Sequence, residues 1–416
     1  MRRDLDSIML ANDIDVLLVV GSGQHNPAMV YLTGGGHFTT ADLIKKRGKK
    51  GVLFHHAMER DEAAAAAARS KLVTRSYSKY PLAAFHKKAG GNRVLAAAMR
   101  YQQMLTDMGI TGGRVALFGR VDLAQAFPIF FELQKLMPDL VLVGDVGNII
   151  LGTAMMTKDP AEIERIRRMG RITIDVVSQV ADFLTSQRVG PNETLIDEAG
   201  QPVTIGRVKS LINLWLAERG AENPEGTIFA IGRDAGVPHS SGNPEHVIRL
   251  GQPIVFDIYP CETGGGYFFD FTRTWCLGYA PDYVQGIYDQ VRTVFQTVRA
   301  EMKAGTRYAD YEVLACQMFE EMGHATIHNQ PDTEEGLVHG LGHGVGLHIH
   351  ERPSSNPLAP AEDVLAPGNV VTIEPGLYYP ERGLGVRIED TVFVREDGTI
   401  EVLVPYPLDL VLPMKK

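Results

Sequence analysis

Short apolar runs alternate with stretches of helical spacing along the N-terminal part of the chain. Three of the runs, Asp15–Val20, Gly51–Phe54 and Val115–Phe118, have the length of strands that are covered on both faces. Between them, Ala63–Ala68 and Tyr101–Met108 have the composition and spacing of helices. Strands that alternate with helices in this way predict an α/β layer with a central sheet.

A long amphipathic helix is predicted to follow this layer. Asp159 is a good N-cap, and Pro160 suits the first helical turn. Because 416 residues exceed one ordinary core, we place a domain boundary here and predict domains at residues 1–155 and 156–416. Apolar residues then recur at spacings of three or four and form one stripe, which consists of Ile163, Ile166, Met169, Ile172, Val176, Val180 and Phe183.

The second domain is predicted to contain helices and strands in two successive rounds. A helix at about residues 208–218 and strands at Thr227–Ile231, Ile254–Tyr259 and Gly266–Trp275 complete the first round. This order is compatible with a duplicated α+β unit. The second round has predicted helices at Asp282–Lys303 and Tyr308–Met322, followed by strands at Val370–Glu374, Gly385–Glu389, Thr391–Arg395 and Glu401–Val404.

Composition excludes several classes of protein. No apolar run approaches the roughly 20 residues that span a bilayer, and Val16–Val20 is too short for the core of a signal peptide, so we expect a cytoplasmic protein. The three cysteines are not in CxxC spacing, which argues against a disulfide framework or a zinc knuckle. The only basic run, residues 45–50, lies between two apolar stretches and is typical of a hairpin tip, so nothing indicates a nucleic-acid partner.

The alternation of side chains along a strand predicts which polar residue lies on the same face as each acid of the second domain. Side chains two residues apart on a strand share a face, so each of three carboxylates has a polar neighbour that is able to orient it. Asp257 is a fourth acid, in the centre of an apolar strand, where an unpaired carboxylate would be costly. The three pairs are Asp270 with Thr272, Glu374 with Thr372, and Glu389 with Arg387.

Histidines and glycines are concentrated in residues 339–351. Four glycines let the backbone approach an ion or a substrate closely, and clustered histidines serve as ligands, proton carriers and hydrogen-bond donors. Four carboxylates and one imidazole, namely Asp257, Asp270, His343, Glu374 and Glu389, are the ligands that two divalent cations would take. Two such cations would activate a water molecule and polarise a carbonyl, so the sequence predicts a hydrolytic enzyme.

The order of these motifs resembles the pita-bread metallopeptidases, and among them the Xaa-Pro peptidases, prolidase and aminopeptidase P. The resemblance rests on Asp257, DFTRT at 270–274, HGLGHGVG at 339–346, IEPG at 373–376 and RIED at 387–390. Residues 1–155 are similar to a creatinase-type N-terminal domain. The resemblance implies an α/β N-terminal domain and an α+β pita-bread catalytic domain, with duplicated helix-strand halves around a curved antiparallel sheet.

The resemblance also implies a cofactor of two divalent metal ions. Asp257 and Asp270 match the paired aspartates, and His343 with Glu374 matches the ligands of one metal. Asp270 and Glu389 match the two bridging ligands. Carboxylate-rich sites take Mn²⁺, Co²⁺, Zn²⁺ or Fe²⁺, and of these we favour Mn²⁺.

Further residues match the substrate side of the family site. His350 and His239 match histidines that contact the substrate or the tetrahedral intermediate, and Glu374 matches the carboxylate that carries a proton to the leaving nitrogen. His339 matches the histidine near the proline-side pocket, and Arg387 matches the arginine beside the last glutamate. His348 and Glu351 receive no role.

The activity that the resemblance implies is hydrolysis of the bond after an N-terminal residue, commonly one followed by proline. It also implies a small peptide substrate and a homodimer whose N-terminal domain closes the neighbouring cleft. A relative that acts by hydrolysis or elimination on a small non-peptide molecule is the alternative. A creatinase-like amidinohydrolase and a non-catalytic module are disfavoured because all five ligands are intact. The sequence does not separate a dipeptidase from an aminopeptidase P.

Overall fold

The computed structural model describes residues 4–415 and divides into two compact units. Of the described residues, the first unit contains 4–155 and 264–266, and the second contains 156–263 and 267–415. None of the helices in the described part of the chain is long and apolar enough to cross a membrane.

The first unit contains a mixed six-stranded sheet in the order β4-β3-β2-β1-β5-β6. Strand β1 pairs antiparallel with β2 and parallel with β5, and its central residues Leu17, Leu18 and Val19 are fully buried. This confirms the predicted α/β layer and the predicted hairpin tip, which joins β2 to β3. The elements are α1 (Leu5–Ala11), β1 (Val16–Gly21), α2 (Pro27–Thr33), β2 (Ala41–Lys46), β3 (Val52–His55), α3 (Arg60–Ser70), β4 (Val73–Ser76), α4 (Leu82–Lys88), α5 (Arg93–Thr106), β5 (Gly113–Arg120), α6 (Leu123–Leu136), β6 (Leu140–Val143) and α7 (Ile150–Met156).

The second unit opens with the predicted amphipathic helix, α8. The Asp159 side chain accepts hydrogen bonds from the Ala161 and Glu162 amides, and the Asp159 amide donates to the Glu162 carboxylate, which completes a capping box. The elements that follow are α8 (Pro160–Ser186), β7 (Arg188–Val189), β8 (Leu195–Ile196), α9 (Ile205–Glu218), β9 (Ala221–Glu222), β10 (Thr227–Ile231), β11 (Ile254–Ile258), β12 (Cys261–Glu262), β13 (Phe271–Leu277), α10 (Asp282–Glu301), α11 (Tyr308–Glu321), β14 (His343–Gly344), β15 (Glu351–Ser354), β16 (Val370–Ile373), β17 (Gly376–Tyr379), β18 (Leu384–Arg387), β19 (Asp390–Val394), β20 (Ile400–Val402) and β21 (Val411–Leu412).

Two sheets of this unit carry the candidate site. One has the order β10-β11-β13-β21 and the other β15-β14-β16-β19-β20, and all neighbours are antiparallel except β13 and β21. A bridge connects Thr272 of β13 with Glu389, which directly precedes β19. Each sheet follows a pair of helices, α8 with α9 and α10 with α11, as expected for two α+β halves.

Three of the acidic residues lie just outside the strands that were predicted to contain them. Asp270 precedes β13 by one residue, Glu374 follows β16, and Glu389 lies between β18 and β19. Pro375 has no N–H and cannot extend the ladder beyond Glu374. The Glu389 amide instead donates to the Thr272 carbonyl oxygen at 3.1 Å, so it bonds across to the other sheet. These acids therefore lie at the ends of strands.

Candidate metal centre and substrate cavity

Asp257, Asp270 and Glu389 converge around Thr272. Asp257 lies opposite Thr272 in the antiparallel register of β11 and β13, and Asp270 is two residues before Thr272 on the same face. The Thr272 hydroxyl donates to Glu389 Oε2 at 2.7 Å. Thr272 is thus the polar residue around which these three acids are arranged.

Arg273 supports the same acids from the opposite face. Its guanidinium is fully buried and donates to the Glu389 carbonyl oxygen at 2.7 Å and to Asp390 Oδ1 at 2.8 Å. These bonds hold the Glu389 carbonyl group and the Asp390 side chain, so Arg273 helps to fix the segment that carries the Glu389 carboxylate.

His343 and Glu374 come from the other sheet. The Thr372 hydroxyl accepts the His343 amide at 3.1 Å and lies 3.3 Å from Glu374 Oε1, so it links the two side chains. His343 Nε2 is 3.3 Å from Glu374 Oε1 and 3.6 Å from Asp270 Oδ2. Ligand atoms of Asp270, His343 and Glu389 all lie within 4.8 Å of one another. The structure therefore brings the five predicted ligands together.

The acids contain buried oxygens that suit a cation. Asp257 Oδ1, Asp270 Oδ1 and Glu389 Oε1 are buried and have no hydrogen-bond partner within residues 4–415. A buried carboxylate oxygen without a partner is costly, and three in one place cannot be explained by local hydrogen bonding. Hard oxygen donors beside one imidazole fit divalent cations, so the residues present fit the expected cofactor.

The pKa values of these three acids reflect their burial and their proximity to one another. Burial raises the pKa of Asp257, although Arg387 opposes the shift. Burial and the neighbouring Asp257 raise the pKa of Asp270 well above its usual range, and burial with Asp270 does the same for Glu389. Without a cation, these carboxyls would retain protons that a cation would replace.

His343 and Glu374 have pKa values that favour their charged forms. Burial alone would lower the pKa of His343, but the hydrogen bond and charge of Glu374 outweigh it and raise the value to about 9. Burial would likewise raise the pKa of Glu374, and His343 lowers it to about 2. His343 Nδ1 donates to the Gly344 carbonyl oxygen at 3.0 Å, since a carbonyl only accepts. Nε2 is therefore the nitrogen that faces the acids.

A cavity of about 800 Å³ opens onto this centre. Its lining includes the three histidines predicted to contact substrate, His239, His339 and His350, together with Arg387. The His350 ring lies 4.2 Å from the His343 ring between centroids. Burial and the charge of His343 lower the pKa of His350 to about 4, so His350 is neutral at pH 7. The individual roles of these residues stay predictions.

A chain of hydrogen bonds connects Asp257 to His339. Arg387 donates to Asp257 Oδ2 at 2.6 Å and, through Nη1, to the Tyr378 hydroxyl at 2.6 Å. The Tyr378 hydroxyl is 2.8 Å from His339 Nε2, and His339 Nδ1 donates to the Gly340 carbonyl oxygen at 2.7 Å. Arg387 is thus engaged by protein groups, with 3% of its side chain exposed. Sequence reasoning missed Tyr378, which lies in an apolar strand without a distinguishing signal.

A model of metallopeptidase family M24 matches residues 164–396, which is more than half of the chain and includes all five candidate ligands. The chain belongs to this family. Enzymes of family M24 use divalent metal ions, and the predicted fold class and the predicted metallopeptidase activity are both confirmed.

Curated relatives match part of this M24 chain. It is 28% identical to the Xaa-Pro dipeptidase of Pyrococcus furiosus over 65% of its own length and 76% of that protein. It is 32% identical to the Xaa-Pro dipeptidase of Pyrococcus horikoshii over 64% of its own length and 74% of that protein. It is 35% identical to the putative dipeptidase YkvY of Bacillus subtilis over 45% of its own length and 47% of that protein. The chain thus spans about half to three quarters of these relatives.

Solved structures match nearly the whole chain. The prolidase from Pyrococcus furiosus aligns with a TM-score of 0.71 and 22% identity, over 97% of this chain and 99% of that one. The X-Pro aminopeptidase from Thermotoga maritima aligns with a TM-score of 0.72 and 22% identity, over 98% of both chains. At this identity the likeness establishes the fold.

Proposed function

We propose that this chain is a dinuclear metal-dependent peptidase that hydrolyses Xaa-Pro bonds of short peptides. The observation that carries the proposal is a set of three buried carboxylate oxygens that have no hydrogen-bond partner in the described part of the chain and belong to acids lining a histidine-rich cavity. Relatives named Xaa-Pro dipeptidase, and solved structures named prolidase and X-Pro aminopeptidase, support the choice of bond.

The five residues Asp257, Asp270, His343, Glu374 and Glu389 would hold two divalent cations, and we favour Mn²⁺. When bound, the cations would activate a water molecule and polarise the scissile carbonyl. The protein contributes the orientation of the ligands. Thr272 holds Glu389 and Thr372 links Glu374 with His343, so neither acid needs to reorganise during the reaction.

The remaining polar groups would handle protons and substrate. Glu374 lines the cavity as an ionised carboxylate and would be the base that takes a proton from the attacking water. It would pass that proton to the leaving nitrogen. His350 is neutral at pH 7 and offers an N–H to the developing oxyanion, with His239 on the same cavity wall. We propose that Arg387 acts through Asp257, which it holds at 2.6 Å.

An Xaa-Pro bond suits this cavity for a chemical reason. The bond is a tertiary amide without an N–H, so a site that must accept a hydrogen bond from the scissile N–H binds it poorly. Here the binding groups are side chains that line a wide cavity. His339, the predicted proline-side residue, is fixed by Tyr378 and Gly340 and offers a rigid ring face to an apolar pyrrolidine.

The test is a peptide panel with metal analysis. The protein is freed of metal, reloaded with Mn²⁺ and assayed on Ala-Pro, Ala-Pro-Pro and Ala-Leu, with Glu389→Gln as the matched control. We expect cleavage of at least one proline peptide, faster than that of Ala-Leu, and loss of cleavage in Glu389→Gln. The relative rates on Ala-Pro and Ala-Pro-Pro distinguish dipeptidase from aminopeptidase activity. If neither proline peptide is cleaved, the proposal is wrong and a non-peptide substrate becomes the better hypothesis.

A homodimer and a cytoplasmic location stay predictions from the sequence. Light scattering of the purified protein tests the first, since a mass of one chain, 45.7 kDa, would contradict it. Fractionation of the source cells tests the second.

A further inference from the structure

Glu351 directly follows His350 and has a buried carboxylate at the centre of a backbone loop. Its Oε1 accepts the amides of Leu347 at 2.7 Å and of His348 at 3.0 Å. Its Oε2 accepts Lys158 Nζ at 2.8 Å. The carboxylate therefore binds the backbone of the turn that leads into His350, and the ammonium group of Lys158 holds the carboxylate in place.

Lys158 comes from a distant part of the sequence, and its backbone is fixed by a hydrogen bond. It lies one residue before the N-cap of α8, and its amide donates to the Gly368 carbonyl oxygen at 2.8 Å. Its side chain is 1% exposed and that of Glu351 is 2% exposed. A fully buried ion pair of this kind is a defined anchor, because removing either partner leaves an uncompensated charge.

The loop between His343 and His350 is shaped to wrap around this carboxylate. A Cβ on Gly346 would lie 2.3 Å from Glu351 Oε2, so only a glycine permits the close approach. The same loop begins at His343 and ends at His350, whose rings lie 4.2 Å apart between centroids. The separation of these two histidines is therefore set by the loop that encloses Glu351.

We propose that Lys158 and Glu351 form a positioning pair that fixes His350 against the candidate metal centre. The proposal rests on the proposed function, in which His350 contacts the reacting carbonyl. Neither member of the pair is catalytic, because the carboxylate is engaged by Lys158 and two amides. Displacing a transition-state donor by about 1 Å reduces rates by up to about hundredfold, so loss of the anchor should slow turnover.

The first test compares Lys158→Met, Lys158→Arg and Glu351→Gln in the metal-loaded enzyme. We expect Lys158→Met and Glu351→Gln to lower kcat by about tenfold to hundredfold with KM changed less than threefold, and bound metal to stay the same. Lys158→Arg keeps the charge and should recover part of kcat. An unchanged kcat in Lys158→Met would overturn the proposal.

The second test asks whether the effect passes through His350. In a His350→Ala background, Lys158→Met should cause little further loss, because the group that the pair positions is gone. A merely structural role predicts the same loss in both backgrounds, and that result would overturn the proposal.

The third test does not depend on peptide cleavage. Hydrogen exchange of the Leu347 and His348 amides should accelerate at least tenfold in Lys158→Met, while the amides of β16 keep their protection. If the wild-type enzyme cleaves no Xaa-Pro peptide, the proposed function fails, yet this measurement still decides the positioning role. Unchanged exchange at both amides would refute it. If Lys158→Met does not fold, Glu351→Gln, which keeps the side-chain shape, carries the same measurement.

Discussion

Metal binding by this protein should depend steeply on pH, because a proton occupies a ligand position in the metal-free form. His343 Nε2 lies between Glu374 and Asp270, whose charges raise the pKa of His343 to about 9 against the effect of burial. At pH 7 the imidazole is therefore protonated. A cation that binds Nε2 must displace this proton.

The size of the effect follows from the number of protons released. One proton displaced from His343 makes the apparent affinity rise about tenfold per pH unit below pH 9. Between pH 6 and pH 8 this amounts to about hundredfold, or about 2.7 kcal/mol. Asp270 and Glu389 have raised pKa values and add further protons, so hundredfold is the lower bound.

Calorimetric titration of the metal-free protein with Mn²⁺ at pH 6, 7 and 8 measures this dependence. Buffers with different ionisation enthalpies give the number of protons released. His343→Asn is the matched control, since it removes the titrating group and should reduce the slope by about one proton. An affinity that is constant from pH 6 to pH 8 would refute the reasoning.

Four further outcomes follow from the same geometry. Because the folded pKa of His343 lies above its ordinary value of 6.5, the metal-free protein should lose up to about 3 kcal/mol of stability as pH rises from 6.5 through 9; urea unfolding with no loss would contradict this. Glu389→Gln should abolish metal binding yet stabilise the metal-free protein at pH 8 by about 1–3 kcal/mol, because it removes a costly buried carboxylate. A lower urea midpoint for this variant would contradict that cost. Arg387→Leu should destabilise the metal-free protein by about 3–5 kcal/mol because Asp257 is left buried and unpaired, whereas a neutral result would show that the pair is not needed. His350→Ala should lower kcat at least about hundredfold without loss of bound metal, and a change in KM alone would argue against its role at the oxyanion.

Local features of the fold were predictable because they depend on neighbouring residues. The capping box at Asp159 and the apolar stripe of α8 follow from a few adjacent positions, as does the hairpin between β2 and β3. Strand ends were not predictable. Asp270 and Glu389 lie outside the strands that were predicted to contain them, and their amides bond to Thr391 and Thr272 of other elements.

The candidate site was predictable in its acids and their threonine neighbours, but not in its long-range support. Residue type and strand parity identified the acids, the glycine-rich cluster identified His343 and His350, and the family resemblance added His239. The partners Tyr378 and Lys158 gave no such signal. Lys158 meets Glu351 across 193 positions of sequence, and only tertiary structure reveals a contact of that range.

Stepwise reloading of the metal-free protein tests whether peptide cleavage depends on two bound metal ions. Metal-free protein is titrated with Mn²⁺ while hydrolysis of the best proline peptide and the number of bound ions are measured in the same samples. We predict no cleavage without metal and full activity at two ions per chain. Undiminished cleavage by the metal-free protein, or saturation at a single ion, would contradict the dinuclear centre formed by Asp257, Asp270, His343, Glu374 and Glu389.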